Sequence, residues 1–190
     1  THAHSLGGRD LSTETVENLL DIPVDYVMEA NFSAFKEVVD ELGGVPITIK
    51  EDYIVRQIKK DTKGKVNLQT GEQTLGGEEA LAYVRTRKAD TDLKRGERQM
   101  EVIKSIINKS KSLTSIPAYD DILDTVGKNV SMNLSLNDAI GLIPFMTSIQ
   151  TVDTLQLKGS DYQPGKVYYF QLDQENLNEI KQELKQQLDV

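Results

Sequence analysis

Apolar positions along this chain recur with two different periods. From Phe32 to Leu42 they fall at Phe32, Phe35, Val38, Val39 and Leu42, with Lys36, Glu37 and Glu41 on the other side. That is the stripe of an amphipathic helix. Gly43-Gly44 ends it, and Val45 to Ile49 (VPITI) reads as a strand whose Pro46 suits an edge or a strand start. Upstream, Ser12 or Thr13 can cap a helix through Leu20, with Glu14 in its first turn, and Pro23 stops it before a strand over Val24–Asn31. Downstream, Glu51–Lys65 reads as a mixed, Lys-rich link, Val66–Gln69 as a short strand and Glu78–Tyr83 as a short helix. A longer helix runs from an Asp92 cap to Lys111. Tyr119–Val126 is helical in pattern. Ser135 with Asp138 forms a capping box for a helix over Asn137–Gln150, kinked at Pro144. Thr151–Leu157 and Val167–Leu172 read as strands on either side of a Pro164-Gly165 turn. Asp173 caps a last helix over Gln174–Leu188. Strands alternate with helices, so the expected fold is α/β: a layered α-β-α domain with a central mixed sheet.

Composition narrows the chemistry. At 190 residues the chain is long enough for a single domain with its own core. Trp is absent and aromatics make up 6%, so that core rests on Leu, Ile and Val. The absence of Cys excludes disulfides, thiol catalysis and Cys-ligated zinc. A net charge of −8 argues against nucleic acid as a partner. No apolar run reaches the length of a membrane span. His2 and His4 alternate and can share one side of a strand, but two histidines without a third ligand make a surface strand the better reading. No Ser-His-Asp set, Walker loop or GxGxxG motif can be assembled.

One stretch reverses the charge. From Arg85 to Arg98 there are six cations (Arg85, Arg87, Lys88, Lys94, Arg95, Arg98) and three anions (Asp90, Asp92, Glu97). The segment is +3, which leaves −11 for the rest of the chain. Arg85 and Arg87 lie two apart, on one side of an extended strand. Arg95, Arg98, Gln99, Val102 and Ile106 share one helix face, so the first turn of that helix turns two arginines toward the interior or a cleft. Cations there oppose the helix dipole at ~0.3–1 kcal/mol each, a cost that a bound di-anion reverses; guanidinium forks match phosphate oxygens. The competing reading is a solvated face in which Asp90, Asp92 and Glu97 pair with neighbouring arginines. Asp92 is in either case suited to cap the helix; with Asp90 it can alternatively touch a Mg²⁺ or accept a proton.

The run from Gly71 to Gln99, GEQTLGGEEALAYVRTRKADTDLKRGERQ, and the segment NFSAFKEVVDELGGV from Asn31 to Val45 closely resemble the LytR-CpsA-Psr family. The resemblance implies a membrane-anchored enzyme on the extracellular face of the cell membrane, mainly in Gram-positive bacteria. Such an enzyme moves a glycopolymer phosphate (teichoic acid, or a capsular or wall polysaccharide) from a polyprenyl pyrophosphate carrier to peptidoglycan in cell-wall biogenesis. It implies that Arg85, Arg87, Arg95 and Arg98 hold the pyrophosphate, with Gln99 beside them. It also implies that helix residues such as Phe32, Phe35, Val38 and Val102 wall a tunnel for the polyprenyl tail, although ordinary core packing accounts for the same apolar pattern. Mg²⁺ is the implied cofactor. Its family ligands fall upstream of Thr1, which leaves Asp90 and Asp92 as the candidates near the arginines. The opening THAHSLGG resembles the middle of such a domain, so residues 1–190 are expected to be one N-terminally truncated LytR-CpsA-Psr domain, prone to self-association, with an inactive fragment among the expected outcomes. The alternative function is a non-catalytic binder of polyprenyl phosphates or anionic wall polymers.

Overall fold

A computed structural model of the chain describes residues 2–88, 91–111, 130–135, 138, 141, 151–165 and 167–189, and of Asp92 the backbone alone. The chain forms two compact units, Met28–Val152 and Thr1–Val27 with Asp153–Val190.

The first unit is built around β2 (Val45–Ile49). Its alternation puts Val45, Ile47 and Ile49 on one side, all buried, while Pro46 and Thr48 face out. β2 pairs antiparallel with β3 (Gly71–Leu75), Val45 opposite Leu75 and Ile49 opposite Gly71. The Val66–Gln69 segment expected as a strand is not one. Its Val66 and Leu68 fill the core instead, and the neighbouring GEQTL forms the ladder.

The largest departure from the sequence reading lies between these strands. Residues expected as a link form α3 (Asp52–Asp61), with Ile54 and Ile58 buried one turn apart. Those two isoleucines and a half-buried Val55 carry that stripe, amid Arg56, Lys59, Lys60 and Asp61, so charge conceals the period in the sequence. Burying each isoleucine is worth about 1.5–3 kcal/mol, enough to hold a helix of this length on the core.

α2 (Phe32–Glu41) follows its pattern closely. Asn31 caps it by accepting the Ala34 N–H at 2.8 Å. At its other end, the N–H groups of Gly43 and Gly44 return to the carbonyls of Asp40 and Val39, with both glycines at positive φ. α2 packs on α4 (Gly77–Arg85) at very short range. A Cβ placed on Gly77 would lie 2.6 Å from the Cα of Lys36. α5 (Asp92–Lys111) lies across β2, its Ser105 hydroxyl donating to the Pro46 carbonyl at 2.9 Å. Thr91 supplies the cap expected of Asp92, its hydroxyl accepting the Lys94 N–H at 3.3 Å. β1 (Met28–Ala30) pairs antiparallel with β4 (Val130–Met132), so only the end of the predicted Val24–Asn31 strand is one.

The second unit contains α1 (His2–Leu20), β5 (Gly159–Tyr162), β6 (Tyr169–Leu172) and α6 (Gln174–Leu188). His2 and His4 lie on a helical segment rather than a strand, and the helix kinks at Gly7-Gly8, where Gly8 has φ +63°. Ser12 and Thr13 sit inside this helix, and their hydroxyls bond back to the carbonyls of Gly8 and Arg9 instead of capping a start. Residues 151–158 form no strand. β5 begins later and pairs antiparallel with β6, Gly159 opposite Leu172. Asp173 caps α6 as expected, accepting the Asn176 N–H at 3.0 Å, and Leu177 and Ile180 are its buried residues. Asp21 accepts a hydrogen bond from Lys185, which with the charge of that ammonium holds its carboxyl below the usual carboxylate range.

The chain is thus α/β. The mixed central sheet expected from the sequence takes the form, among the described residues, of three two-stranded antiparallel sheets. The helices expected over Tyr119–Val126 and Asn137–Gln150, with the Pro144 kink, lie outside the described residues apart from Asp138 and Gly141. The Ser135 end of the second does show its cap, the Asp138 N–H reaching the Ser135 hydroxyl at 3.2 Å.

Candidate functional site

The site is organised by the two ends of α4. At its start, the Asp40 carboxylate of α2 accepts the Gly77 N–H at 2.7 Å and Glu79 accepts the Gly76 N–H at 3.0 Å. Two orphan donors are satisfied by negative charge at the positive end of the helix dipole. Arg85 closes the last turn, where a cation is favoured. The expected helix over Glu78–Tyr83 therefore extends to Arg85 itself, and Arg85 and Arg87 do not alternate along a strand. They straddle Thr86, whose extended backbone (φ −59°, ψ 125°) breaks the helix.

Thr86 is buried, and it is held on two sides. Its hydroxyl donates to Asp61 Oδ2 of α3 at 2.9 Å. Its carbonyl accepts from an Arg98 guanidinium nitrogen of α5 at 2.7 Å. Arg98 Nε donates to the Tyr83 carbonyl at 3.2 Å. Arg98 thereby satisfies C-terminal carbonyls of α4 that the helix itself leaves open. Arg98 as a whole is 6% exposed, which makes this a buried, charge-assisted arrangement.

With Thr86 so fixed, Arg85, Arg87 and Lys88 line one cavity of about 340 Å³, together with Asp61, Thr62, Glu78, Leu81 and Ala82. Arg85 and Arg87 are exposed to it. Of the two carboxylates, Asp61 is bonded to Thr86, and Glu78 is paired with Lys36 at 3.1 Å. Arg85 stacks on the Phe32 ring at 4.3 Å.

The sequence grouped four arginines; the fold divides them. Arg98 borders a different cavity of about 190 Å³ that also takes in Lys94, Glu97, Glu101 and Tyr83. Arg95 is half-buried on α5 and lines neither cavity. Gln99 is exposed, its amide within 3.5 Å of the Val84 carbonyl. Of the predicted apolar wall, Phe32 is exposed, Phe35 and Val38 are half-buried, and Val102 is wholly inside the core. Asp90 and the Asp92 side chain lie outside the described residues.

Tyr83 joins the buried face of α4 to α5. Its hydroxyl donates to Glu101 Oε2 at 2.9 Å. Burial pushes the phenol well above its usual range, and the Glu101 carboxylate pushes further the same way. Thr86, Asp61 and Tyr83 are not among the residues that the sequence singles out. The one signal for Thr86 is its place between two arginines, and nothing in the order of residues ties Asp61 to it.

Comparison with known proteins supplies the wider setting. The family model described as LytR_cpsA_psr family matches residues 1–186. The chain is 65% identical over 190 residues to the polyisoprenyl-teichoic acid–peptidoglycan teichoic acid transferase TagT of Bacillus subtilis (strain 168), matching all of this chain and 59% of that protein. The chain thus spans somewhat under two thirds of that relative. A solved structure of TagT bound to LIIa-WTA superposes with a TM-score of 0.93 at 62% identity, over all of this chain and 71% of that one. Another, the LytR-CPS2A-psr family protein YwtF (TagT) with bound octaprenyl pyrophosphate lipid, gives 0.85 at 57% identity, over all of this chain and 70% of that one.

Proposed function

The chain belongs to the LytR-CpsA-Psr family, and from that premise we propose that it is the larger part of a transferase of cell-wall glycopolymers. The reaction moves a teichoic acid, as its phosphate, from a polyprenyl pyrophosphate carrier to peptidoglycan. The observation that carries this reading is the wall of three cations, Arg85, Arg87 and Lys88, around one cavity in a chain 65% identical to a named teichoic acid transferase.

The chemistry asked of such a site is modest. A peptidoglycan hydroxyl attacks the phosphorus that bears the glycopolymer. A new P–O–C bond forms, the P–O bond of the pyrophosphate breaks, polyprenyl phosphate leaves with the electron pair of that bond and the hydroxyl proton passes to the leaving phosphate or to water. Positioning and charge neutralisation suffice, and no covalent nucleophile is needed. Arg85 and Arg87 offer planar forks to the pyrophosphate oxygens. Phe32, stacked beside Arg85, offers an apolar ring to the start of the lipid tail in this reading.

Mg²⁺ belongs to the proposal by family resemblance. The described residues do not form a set that fits it: no group of three or more His, Asp or Glu gathers among them, and Asp61 and Glu78 are already engaged. The carboxylates that hold Mg²⁺ are therefore proposed to belong to other parts of such proteins. The location proposed is the extracellular face of a Gram-positive cell membrane; among the described residues no helix is long and apolar enough to cross a bilayer.

The test is calorimetry of the full chain with a polyprenyl pyrophosphate analogue, followed by assay of transfer to peptidoglycan. Arg87→Lys keeps the charge and loses the fork, so affinity falls about tenfold if the site is used as proposed. Unchanged affinity removes the bidentate contact from the account. Tight binding without any transfer, in a protein of full family length, would leave a lipid-phosphate binder instead of an enzyme.

A further inference from the structure

We propose that Thr86 is the fixed point that aims Arg85 and Arg87 into their shared cavity, and that Asp61, Thr86 and Arg98 are positioning residues. The inference rests on the reading of that cavity as the pyrophosphate site. It also gives Arg98 a different task from the one its place in the sequence suggests.

The need for such a device follows from local geometry. Two residues flanking a helix end have no common direction unless the residue between them is held. Arg85 belongs to the last turn of α4 and Arg87 to the chain leaving it, so the φ and ψ of Thr86 enter directly into the angle between their Cα–Cβ bonds. An exposed helix end frays, and one anchor would leave it free to turn about that bond. Here there are two anchors, from different elements. Asp61, at the end of α3, takes the hydroxyl at 2.9 Å. Arg98, in α5, takes the carbonyl at 2.7 Å and, through Nε, the Tyr83 carbonyl one turn earlier at 3.2 Å. The planar guanidinium holds both carbonyls in one rigid fork, which an ammonium cannot do.

The anchors also suit what each is made of. Asp61 is exposed and lines the cavity, where it also accepts from Gln57 at 2.7 Å. Its bond to Thr86 keeps a carboxylate turned toward the threonine hydroxyl in a cavity built for an anion. Arg98 is buried and borders the other cavity, so its charge does not line the one that Arg85 and Arg87 share. Specificity for the anion is thus left to the exposed pair, while the buried arginine fixes where that pair points.

Thr86→Val and Thr86→Ser separate this role from simple packing. Valine keeps the buried volume and removes the hydroxyl; serine keeps the hydroxyl and loses a methyl group. If Thr86 matters only as filler, serine is the worse variant. If it matters as an anchor, valine is. The direct readout is the NMR order of the Arg85 and Arg87 Nε–H groups in the ligand-free chain, with the thermal midpoint followed alongside. Valine is expected to loosen both arginines together, and serine to leave them near wild type. The second readout is inorganic pyrophosphate titrated into the same proteins. Its dissociation constant should rise about fivefold to tenfold in Thr86→Val and little in Thr86→Ser. Arg98→Lys should match valine where it folds. Arginines unmoved by valine, or loosened more by serine, overturn the inference. Failure of wild-type protein to bind pyrophosphate would sink the reading of the cavity, yet the ligand-free NMR comparison would still decide whether Thr86 orders the two arginines.

Discussion

The guanidinium carbon of Arg85 lies 4.3 Å from the centre of the Phe32 ring, joining the last residue of α4 to the first residue of α2. Phe32 is 56% exposed, so the stack lies at the surface. It costs little to form there and holds the face of one guanidinium while leaving its edge free to meet oxygens. An exposed cation–π contact is worth about 0.5–1 kcal/mol.

Phe32→Leu should therefore weaken binding of a polyprenyl pyrophosphate analogue by about twofold to fivefold, while Phe32→Tyr should retain wild-type affinity. Equal losses in both variants would assign Phe32 to the lipid tail alone. Titration calorimetry at two salt concentrations checks it.

Gly77→Ala should act on the same pair from a distance. The added methyl would meet the backbone of Lys36 at 2.6 Å from its Cα, and backbone cannot swing aside as a side chain can. α2 and α4 must then separate, at a cost of about 1–3 kcal/mol. A lower urea midpoint together with weaker analogue binding is the expected outcome. Stability lost with binding untouched would show that the site tolerates the shift.

Tyr83→Phe carries a pH signature. Its folded pKa is raised, first by burial and then by Glu101. The neutral phenol thus stabilises the fold fully below the usual tyrosine pKa of about 10. That contribution drains as pH climbs beyond, because the unfolded phenol ionises first. Near pH 7 the variant should be less stable by about 0.5–1.5 kcal/mol. The gap between the two proteins should narrow between about pH 10 and 11. Urea unfolding across that range measures it, and a constant gap would contradict the burial of the phenol.

Ile58→Ala tests whether α3 is part of the core. Ile58 is wholly inaccessible, so truncation should cost about 2–5 kcal/mol. A near-neutral result would restore the mixed, Lys-rich link that the sequence of this segment suggests.

What the sequence determined by itself is what nearest neighbours along the chain decide. The stripe from Phe32 to Leu42 (all but its exposed first residue), the cap at Asp173, the glycines after α2 and the strand over Val45–Ile49 are all local patterns. Each appears in the structure where the pattern put it. The run from Gly71 to Gln99 likewise carried the family, because membership rests on residue order. Local patterns failed where the period was thin or a hydroxyl had two uses: α3 shows two buried isoleucines among charges, and Ser12 and Thr13 turned back onto their own helix.

The site was legible only as a list of cations. Which of them share a cavity was decided by contacts between α2, α3, α4 and α5, elements that meet only in the folded chain. Arg85 gained its stack from α2. Thr86 gained its hydroxyl partner from α3. Arg98, on the helix face that the sequence aimed inward, met the open carbonyls at the end of α4. The physical reason is the same for all three. Periodicity fixes which way a side chain leaves its own element, whereas the partner it meets, a ring, a carboxylate or an open carbonyl, belongs to another element that only tertiary structure brings within reach.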